Sequence, residues 1–264
     1  MQDLKNDEVR QAVRGAYGNV AKADGTGCGC DCGCDSGGAR TAADIAASLG
    51  YSEDDVSAVP DGANLGLGCG NPHAIASLRP GETVLDLGSG AGFDCFLAAR
   101  AVGETGSVIG VDMTPEMVSR ARANFAQAGP DNLEFRLGEI EHLPVSDNAV
   151  DVIMSNCVIN LSPEKPNVYA EAFRVLKPGG RLAISDVVAS APLPDEIKEN
   201  LALHAGCVAG ASSIDDLTSM LEDAGFIDIR VEPIDGSRKL IREWAPGANF
   251  EDFIVSANIQ ARKP

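Results

Sequence analysis

Val84-Leu85-Asp86-Leu87-Gly88-Ser89-Gly90-Ala91-Gly92 is the stretch on which the fold turns. Apolar residues around one acid read as a short strand. Glycines at 88, 90 and 92 then permit a tight turn in which the backbone can approach a ligand closely. Helical periodicity follows over Phe93–Val102. Strand, Gly-rich turn and helix in that order open an α/β sheet whose ligands sit outside the carboxyl ends of the strands. Further β-rich runs follow at Ser107–Asp112, Leu133–Leu137, Ala149–Ser155, Arg181–Val187, Phe226–Glu232 and Asp252–Ala261, with Thr83–Leu87 the first of seven. Helical runs lie between them at Pro115–Ala128, Pro163–Leu176 and Ile214–Ala224, the first with Thr114 as N-cap and Pro115 at the first helical position. Such alternation predicts an α/β, doubly wound, mostly parallel seven-stranded sheet with helices on both faces.

Before Arg79 the pattern differs. Residues 3–23 form a helical pattern with a stripe of Leu4, Val9, Ala12, Val13, Ala16 and Tyr17. Gly25 to Gly38 is rich in Gly, Cys and Asp and reads as a loop. Short helical patterns follow at Ala39–Leu49 and Ser52–Val59, and glycines cluster from Gly62 to Gly70. The expected division is a small N-terminal helical, Cys-rich cap over residues 1–68 and a main domain over 69–264.

The chain has 264 residues, 44% of them hydrophobic, enough for one large core. Its net charge is −18, with 14 Arg and 7 Lys against 39 Asp plus Glu. That balance argues against nucleic acid and against an anionic membrane surface, both of which need a basic footprint. Self-repulsion of this kind is screened at molar salt, so a halophilic host is expected alongside the plainer reading of an ordinary acidic enzyme. No apolar run approaches a membrane span. The opening residues are polar and acidic rather than a secretory leader, and a cytoplasmic protein is expected.

A Gly-rich turn alone does not separate ligand classes, because dinucleotide enzymes use a similar one. Here the spacing is Gly-x-Gly-x-Gly after Asp86, not Gly-x-Gly-x-x-Gly. Asp112 ends the second strand twenty residues beyond Gly92, where a carboxylate can grip a ribose diol. Gly138-Glu139-Ile140-Glu141-His142-Leu143-Pro144 follows the third strand. Asp147-Asn148-Ala149-Val150-Asp151-Val152-Ile153 leads into the fourth, and Val175-Leu176-Lys177-Pro178-Gly179-Gly180-Arg181-Leu182 into the fifth. Together these resemble the class I S-adenosylmethionine-dependent methyltransferases over about residues 70–264. The resemblance implies a Rossmann-like sheet whose last strand is antiparallel, with S-adenosylmethionine as cofactor. Asp86, Gly88, Ser89, Gly90 and Gly92 would belong to its binding loop, near the methionine part. Asp112 would hold the ribose, Met113 would lie beside the adenine, and Glu139 and Ile140 would meet the adenine amino edge. If the adenine reading fails, Glu139 and Glu141 are a solvated acidic face.

Eight cysteines in a chain expected to be cytoplasmic suggest thiol or metal chemistry more than disulfide staples. Cys95, on the helix after the Gly-rich loop, reads as a small buried hydrophobe. Cys69 lies just before the first strand in Leu67-Gly68-Cys69-Gly70-Asn71-Pro72. Cys157 lies at the carboxyl end of the fourth strand in Ser155-Asn156-Cys157-Val158-Ile159-Asn160. Cys207 lies between the fifth and sixth strands in Ala205-Gly206-Cys207-Val208-Ala209-Gly210. Three thiols able to converge at the catalytic edge suggest a soft, thiophilic substrate. These phrases, with Gly110-Val111-Asp112-Met113-Thr114-Pro115-Glu116-Met117, closely resemble the arsenite methyltransferases from Cys69 to Ala211, and less so before residue 60.

That resemblance implies arsenic detoxification: a methyl group passes from S-adenosylmethionine to trivalent arsenic, as arsenite or methylarsenite, held by Cys69, Cys157 and Cys207. It implies a thiol reductant of thioredoxin or glutathione type, since methylation formally oxidises arsenic. Longer members carry a further C-terminal domain whose role is not expected of this chain. Cys28, Cys30, Cys32 and Cys34 are spaced more tightly than ordinary zinc ligands. Two readings stay open for them, a redox or arsenic-relay role and adventitious metal binding in a loop. His73, His142 and His204 make no catalytic pattern and read as structural. The alternatives are a methyltransferase for a quinone, phenol or sterol, and a non-catalytic metalloid-binding protein.

Overall fold

The computed structural model describes residues 2–23, 40–244 and 247–264; the Cys28–Cys34 run lies outside them. Helix α1 (Gln2–Lys22) comes first. Short helices α2 (Ala42–Ser48), α3 (Glu53–Ser57) and α4 (Pro72–Ala76) follow. Thr41 and Ser52 start α2 and α3 with reciprocal capping boxes to Asp44 and Asp55.

The sheet then builds through β1 (Thr83–Leu87), α5 (Phe93–Val102), β2 (Ser107–Asp112), α6 (Pro115–Ala128), β3 (Leu133–Leu137) and β4 (Val150–Asn156). It continues through α7 (Lys165–Val175), β5 (Leu176–Ala189), α8 (Asp195–Lys198), α9 (Leu201–Ala205), the two-residue β6 (Ser212–Ser213) and α10 (Ile214–Asp223). It closes with β7 (Ile227–Pro233), α11 (Arg238–Trp244) and β8 (Ile254–Arg262). Strand order is β3-β2-β1-β4-β5-β8-β7, with β6 pairing β5 off that path. Strands β1 to β5 pair in parallel, and β8 runs antiparallel to both β5 and β7. The seven expected strands all form, and the short β6 is an eighth.

Alternation along β1 explains the layers. Leu85 and Leu87 face a core completed by Val168 and Ala172 of α7 and Leu217 and Leu221 of α10. Val84 faces the other core, with Phe96 and Ala99 of α5 and Val118 and Ala121 of α6. Both faces of β1 are covered, so it reads as an almost continuous apolar run. A third cluster crosses the carboxyl ends of the strands and contains Val13, Leu161, Val187 and Phe250 together with Cys69, Cys157 and Cys207.

Candidate active site

The turn after β1 is shaped by backbone. Gly88, Gly90 and Gly92 have φ of 69°, 52° and 98°. The Gly88 and Ser89 amides both donate to the Val111 carbonyl, at 2.7 and 3.0 Å, which ties the loop to the end of β2. A Cβ on Gly88 would sit 2.4 Å from Val158, so glycine is required there for space as well as for φ. Asp112 completes the turn: one oxygen accepts the Gly90 amide at 2.9 Å and the other the Thr114 amide at 2.8 Å. Burial pushes its carboxyl up, and those two amides pull against that. The Ser89 hydroxyl is buried with no partner. Asp86, beneath the turn, accepts from the Cys95 thiol at 3.2 Å. Burial, then the neighbouring Asp94 charge, push Asp86 well up. Cys95 is fully buried and far from solvent, as its helical position suggests.

A cavity of about 630 Å³ lies over these groups, lined by Asp86, Gly88, Ser89, Gly90, Asp112 and Met113 among others. Gly92 is not in the lining; it caps α5, and its open side faces Phe135. Glu139 is not in the lining either. It forms an ion pair with Arg14 of α1 and lies 3.8 Å from Arg10. Ile140 and Glu141 take the lining positions instead. Glu141 is only 3% exposed, accepts from Ser162 Oγ at 2.6 Å and meets Arg10 at 3.3 Å, so it is no solvated acidic face. The resemblance implies Glu139 at the adenine edge; in the structure Glu139 turns to Arg14 and Glu141 takes the cavity position.

The opposite wall carries the thiols. Cys69, Cys157 and Cys207 are 2%, 9% and 3% exposed, and all are free. Cys157 and Cys207 line the cavity; Cys69 does not, though its chain neighbour Gly68 does. The sulfurs of Cys69 and Cys157 and one carboxylate oxygen of Asp186 lie within 4.8 Å of one another. Cys207 Sγ donates to the Cys157 carbonyl at 2.9 Å. Cys157 and Cys207 both hold left-handed backbone, φ 60° and 63°. Non-glycine residues there cost on the order of 1 kcal/mol and persist when the surroundings over-determine them.

Burial pushes the Cys69 thiol up to about 11. Cys207 is pushed well up by its contact with Cys157 and by burial. Contact with Cys207 pulls Cys157 down, but contact with Cys69 and burial outweigh it. The resting cluster is therefore three neutral thiols. Asp186 is fully enclosed and accepts from the Ile159 and Val187 amides at 3.0 and 2.8 Å and from Asn160 Nδ2 at 2.9 Å. Burial raises its carboxyl to about 6 against those donors.

Helix α1 forms the roof, with Val13, Ala16 and Tyr17 over the cavity. The Tyr17 hydroxyl donates to the Ala205 carbonyl at 3.4 Å beside Cys207. Its apolar stripe was legible in the sequence, but nothing there indicated that it would cover this cavity. His73 and His204 hold backbone, meeting the Asp94 and Leu161 carbonyls at 2.9 and 3.1 Å, in keeping with structural roles.

Comparison with known proteins agrees with this architecture. A family model described as a methyltransferase domain matches residues 78–225, from just before β1 to just beyond α10. An arsenite methyltransferase of Halobacterium salinarum is 53% identical over 267 residues, covering 99% of this chain and 68% of the relative. One of Aquipseudomonas alcaligenes is 42% identical over 69% of this chain and 55% of its own length, so the chain spans little more than half of that relative. Among solved structures, an arsenic(III) S-adenosylmethionine methyltransferase from Chlamydomonas reinhardtii matches with a TM-score of 0.61 and 34% identity, over 83% of this chain and 72% of that one. On the extent and identity of these matches, the chain belongs to the arsenite methyltransferase family.

Proposed function

We propose that this chain transfers a methyl group from S-adenosylmethionine to trivalent arsenic held by Cys69, Cys157 and Cys207. The observation that carries the reading is the buried meeting of three free thiols at the strand edge that also holds the Gly-rich turn. The polar groups on the other side suit the cofactor. Each Asp112 oxygen receives one backbone amide and keeps a lone pair for a ribose hydroxyl. The orphaned Ser89 hydroxyl and the open space beside Gly90 suit a polar ligand at close range. Gly88 and Met113 would flank that ligand. Ile140 and Glu141, rather than Glu139, would meet its adenine edge.

When bound, S-adenosylmethionine supplies a methyl carbon open to in-line attack by an arsenic lone pair. The protein's part begins with the thiols. Each replaces one hydroxyl of arsenous acid: an As–S bond forms, an As–O bond breaks, and the thiol hydrogen leaves with the hydroxyl as water. The methyl transfer itself needs no general base, because the attacking arsenic lone pair carries no proton. Three thiols leave arsenic pyramidal, and the buried wall excludes water while fixing its direction. Two electrons must return to arsenic after each transfer. Protein thiols would give them up as a disulfide, which a thioredoxin- or glutathione-type reductant reopens.

The division into a cap of residues 1–68 and a methyltransferase domain of 69–264 belongs to the same reading, as does a redox or relay role for Cys28, Cys30, Cys32 or Cys34. So does a salt-accumulating cytoplasm. The −18 charge supports a halophilic setting, as does the relative from Halobacterium salinarum. No helix among the described residues is long and apolar enough to cross a membrane. The deciding experiment is arsenic speciation after incubation with arsenite, S-adenosylmethionine and excess thiol. Methylated arsenic is the expected result; its absence under conditions where a quinone or phenol is methylated would overturn the proposal.

A further inference from the structure

One side chain joins the Cys69 segment to Cys157. Asn156 ends β4, immediately before Cys157. Its Oδ1 accepts the Cys69 amide at 3.0 Å, and its Nδ2 donates to the Gly70 carbonyl at 2.9 Å. The amide of Asn156 thus grips the chain on both sides of the Cys69 thiol. Its fit is close: Gly68 has φ 115°, and a Cβ there would lie 2.8 Å from the Asn156 amide. Nδ2 also donates to the Tyr51 hydroxyl at 3.1 Å, and Tyr51 donates to Asp94 at 2.6 Å. Tyr51 is packed between α2 and α5, so the clamp is backed by a buried polar chain.

Cys207 is held by other means. It follows α9, its amide donates to the His204 carbonyl at 3.0 Å, and its thiol donates to the Cys157 carbonyl. Nothing in the Asn156 grip touches it. The three thiols thus divide into a Cys157–Cys207 pair whose mutual contact does not involve Asn156 and a third, Cys69, whose backbone Asn156 holds on both sides while its own thiol meets the Ser185 carbonyl at 3.7 Å.

We propose that Asn156 is a positioning residue that presents Cys69 to the substrate and so sets the preference for arsenite over methylarsenite. The inference rests on the arsenic reading above and adds a specificity determinant to it. Arsenous acid has three hydroxyls to exchange and can use all three thiols. Methylarsenous acid has two, and the Cys157–Cys207 pair supplies both. Each exchange forms one As–S bond, breaks one As–O bond and releases one water, with no change in oxidation state. Loosening Cys69 therefore penalises the first substrate and largely spares the second.

The test uses the whole chain and two readouts. The first needs no arsenic: alkylation by iodoacetamide, followed at each cysteine by peptide mass spectrometry. Asn156→Ala should speed modification of Cys69 at least tenfold while Cys157 and Cys207 change less than threefold. Tyr51→Phe leaves both grips on the Cys69 segment in place and should change Cys69 less than threefold. The second readout is turnover of each substrate supplied separately, with excess thiol and saturating cofactor. Arsenite turnover should fall at least tenfold and methylarsenite turnover less than threefold. Gly68→Ala crowds the same amide from the other side and should act in the same direction, which keeps the test open if Asn156→Ala fails to fold.

Unchanged Cys69 alkylation, or an equal rise at all three cysteines, would overturn the clamp. If Cys69 is freed but the substrate preference stays put, the specificity claim falls. Cys69→Ser then separates the causes. A shifted preference in Cys69→Ser leaves the arsenic reading standing, and an unshifted one removes Cys69 from the arsenic site.

Discussion

Between Asp86 and Thr114 the turn is held by backbone amides of a single β-α-β unit, whereas Cys69, Cys157 and Cys207 arrive from three separate segments. Gly88 and Ser89 bond Val111, and Gly90 and Thr114 bond Asp112, all within one stretch of chain. The thiols meet only because β4, the segment before α4 and the turn after α9 end at one sheet edge. A local site can be substituted residue by residue with graded loss. A convergent site depends on the elements that carry it, and each of its members matters to the degree that the substrate needs it.

The largest expected effects fall on the convergent side. Cys157→Ser and Cys207→Ser should each abolish methylation of both arsenite and methylarsenite, a loss of at least a hundredfold in product by arsenic speciation. Cys69→Ser should cripple the arsenite step and spare much of the methylarsenite step, because the second substrate has only two exchangeable positions. Full activity of Cys157→Ser on both substrates would end the arsenic-site assignment.

Next comes the electrostatic state of that cluster. Burial holds Cys69 at about 11 against an ordinary 9.0. The native chain keeps this proton where the unfolded chain gives it up. Stability is thus fully present below pH 9 and declines as pH rises toward 11. Unfolding free energies of wild type and Cys69→Ser, from denaturant titrations across that window, should diverge by about 2 kcal/mol, with the variant falling less. Parallel curves would mean that the thiol is not buried in its neutral form.

On the local side, Asp112→Ala should weaken binding of S-adenosylmethionine more than tenfold, about 1.4 kcal/mol or more, by calorimetry. It removes both the proposed ribose acceptor and the acceptor of the Gly90 amide. An unchanged dissociation constant would contradict the ribose assignment while leaving the thiol cluster untouched. The smallest effect is global. Stability should rise from low to molar potassium chloride as self-repulsion among 39 acids is screened. A flat or falling midpoint would remove the halophile reading and neither half of the comparison.

Legibility followed the same divide. Strands β1, β2 and β3 and helices α5 and α6 form at the bounds their apolar runs and flanking Gly, Pro and Asp predict. Strand β5 starts at Leu176 rather than Arg181, because Leu176 pairs with Val150 across a register shift that its partner imposes. Lys177-Pro178-Gly179-Gly180 reads as a turn when β4 is out of view. Glu139 and Glu141 are chemically alike and one residue either side of Ile140. Arg14, more than a hundred positions earlier, pairs with Glu139, while Ser162 Oγ donates to Glu141 and Arg10 reaches both.

The sequence by itself determined the α/β sheet, its Gly-rich turn, the acid at the end of β2 and the three cysteines worth watching. The sheet, the turn and the acid follow from periodicity and from bonds between groups close along the chain, and the cysteines from their places beside the strand ends and from the family resemblance. Tertiary structure alone decided that α1 roofs the cavity and that Cys69, unlike Cys157 and Cys207, is not in its lining. It also decided that Asp186 lies beside two sulfurs and that Asn156 grips the Cys69 segment. Each of those depends on groups far apart in sequence, whose distance is fixed only when the sheet and its crossing helices close around a common core.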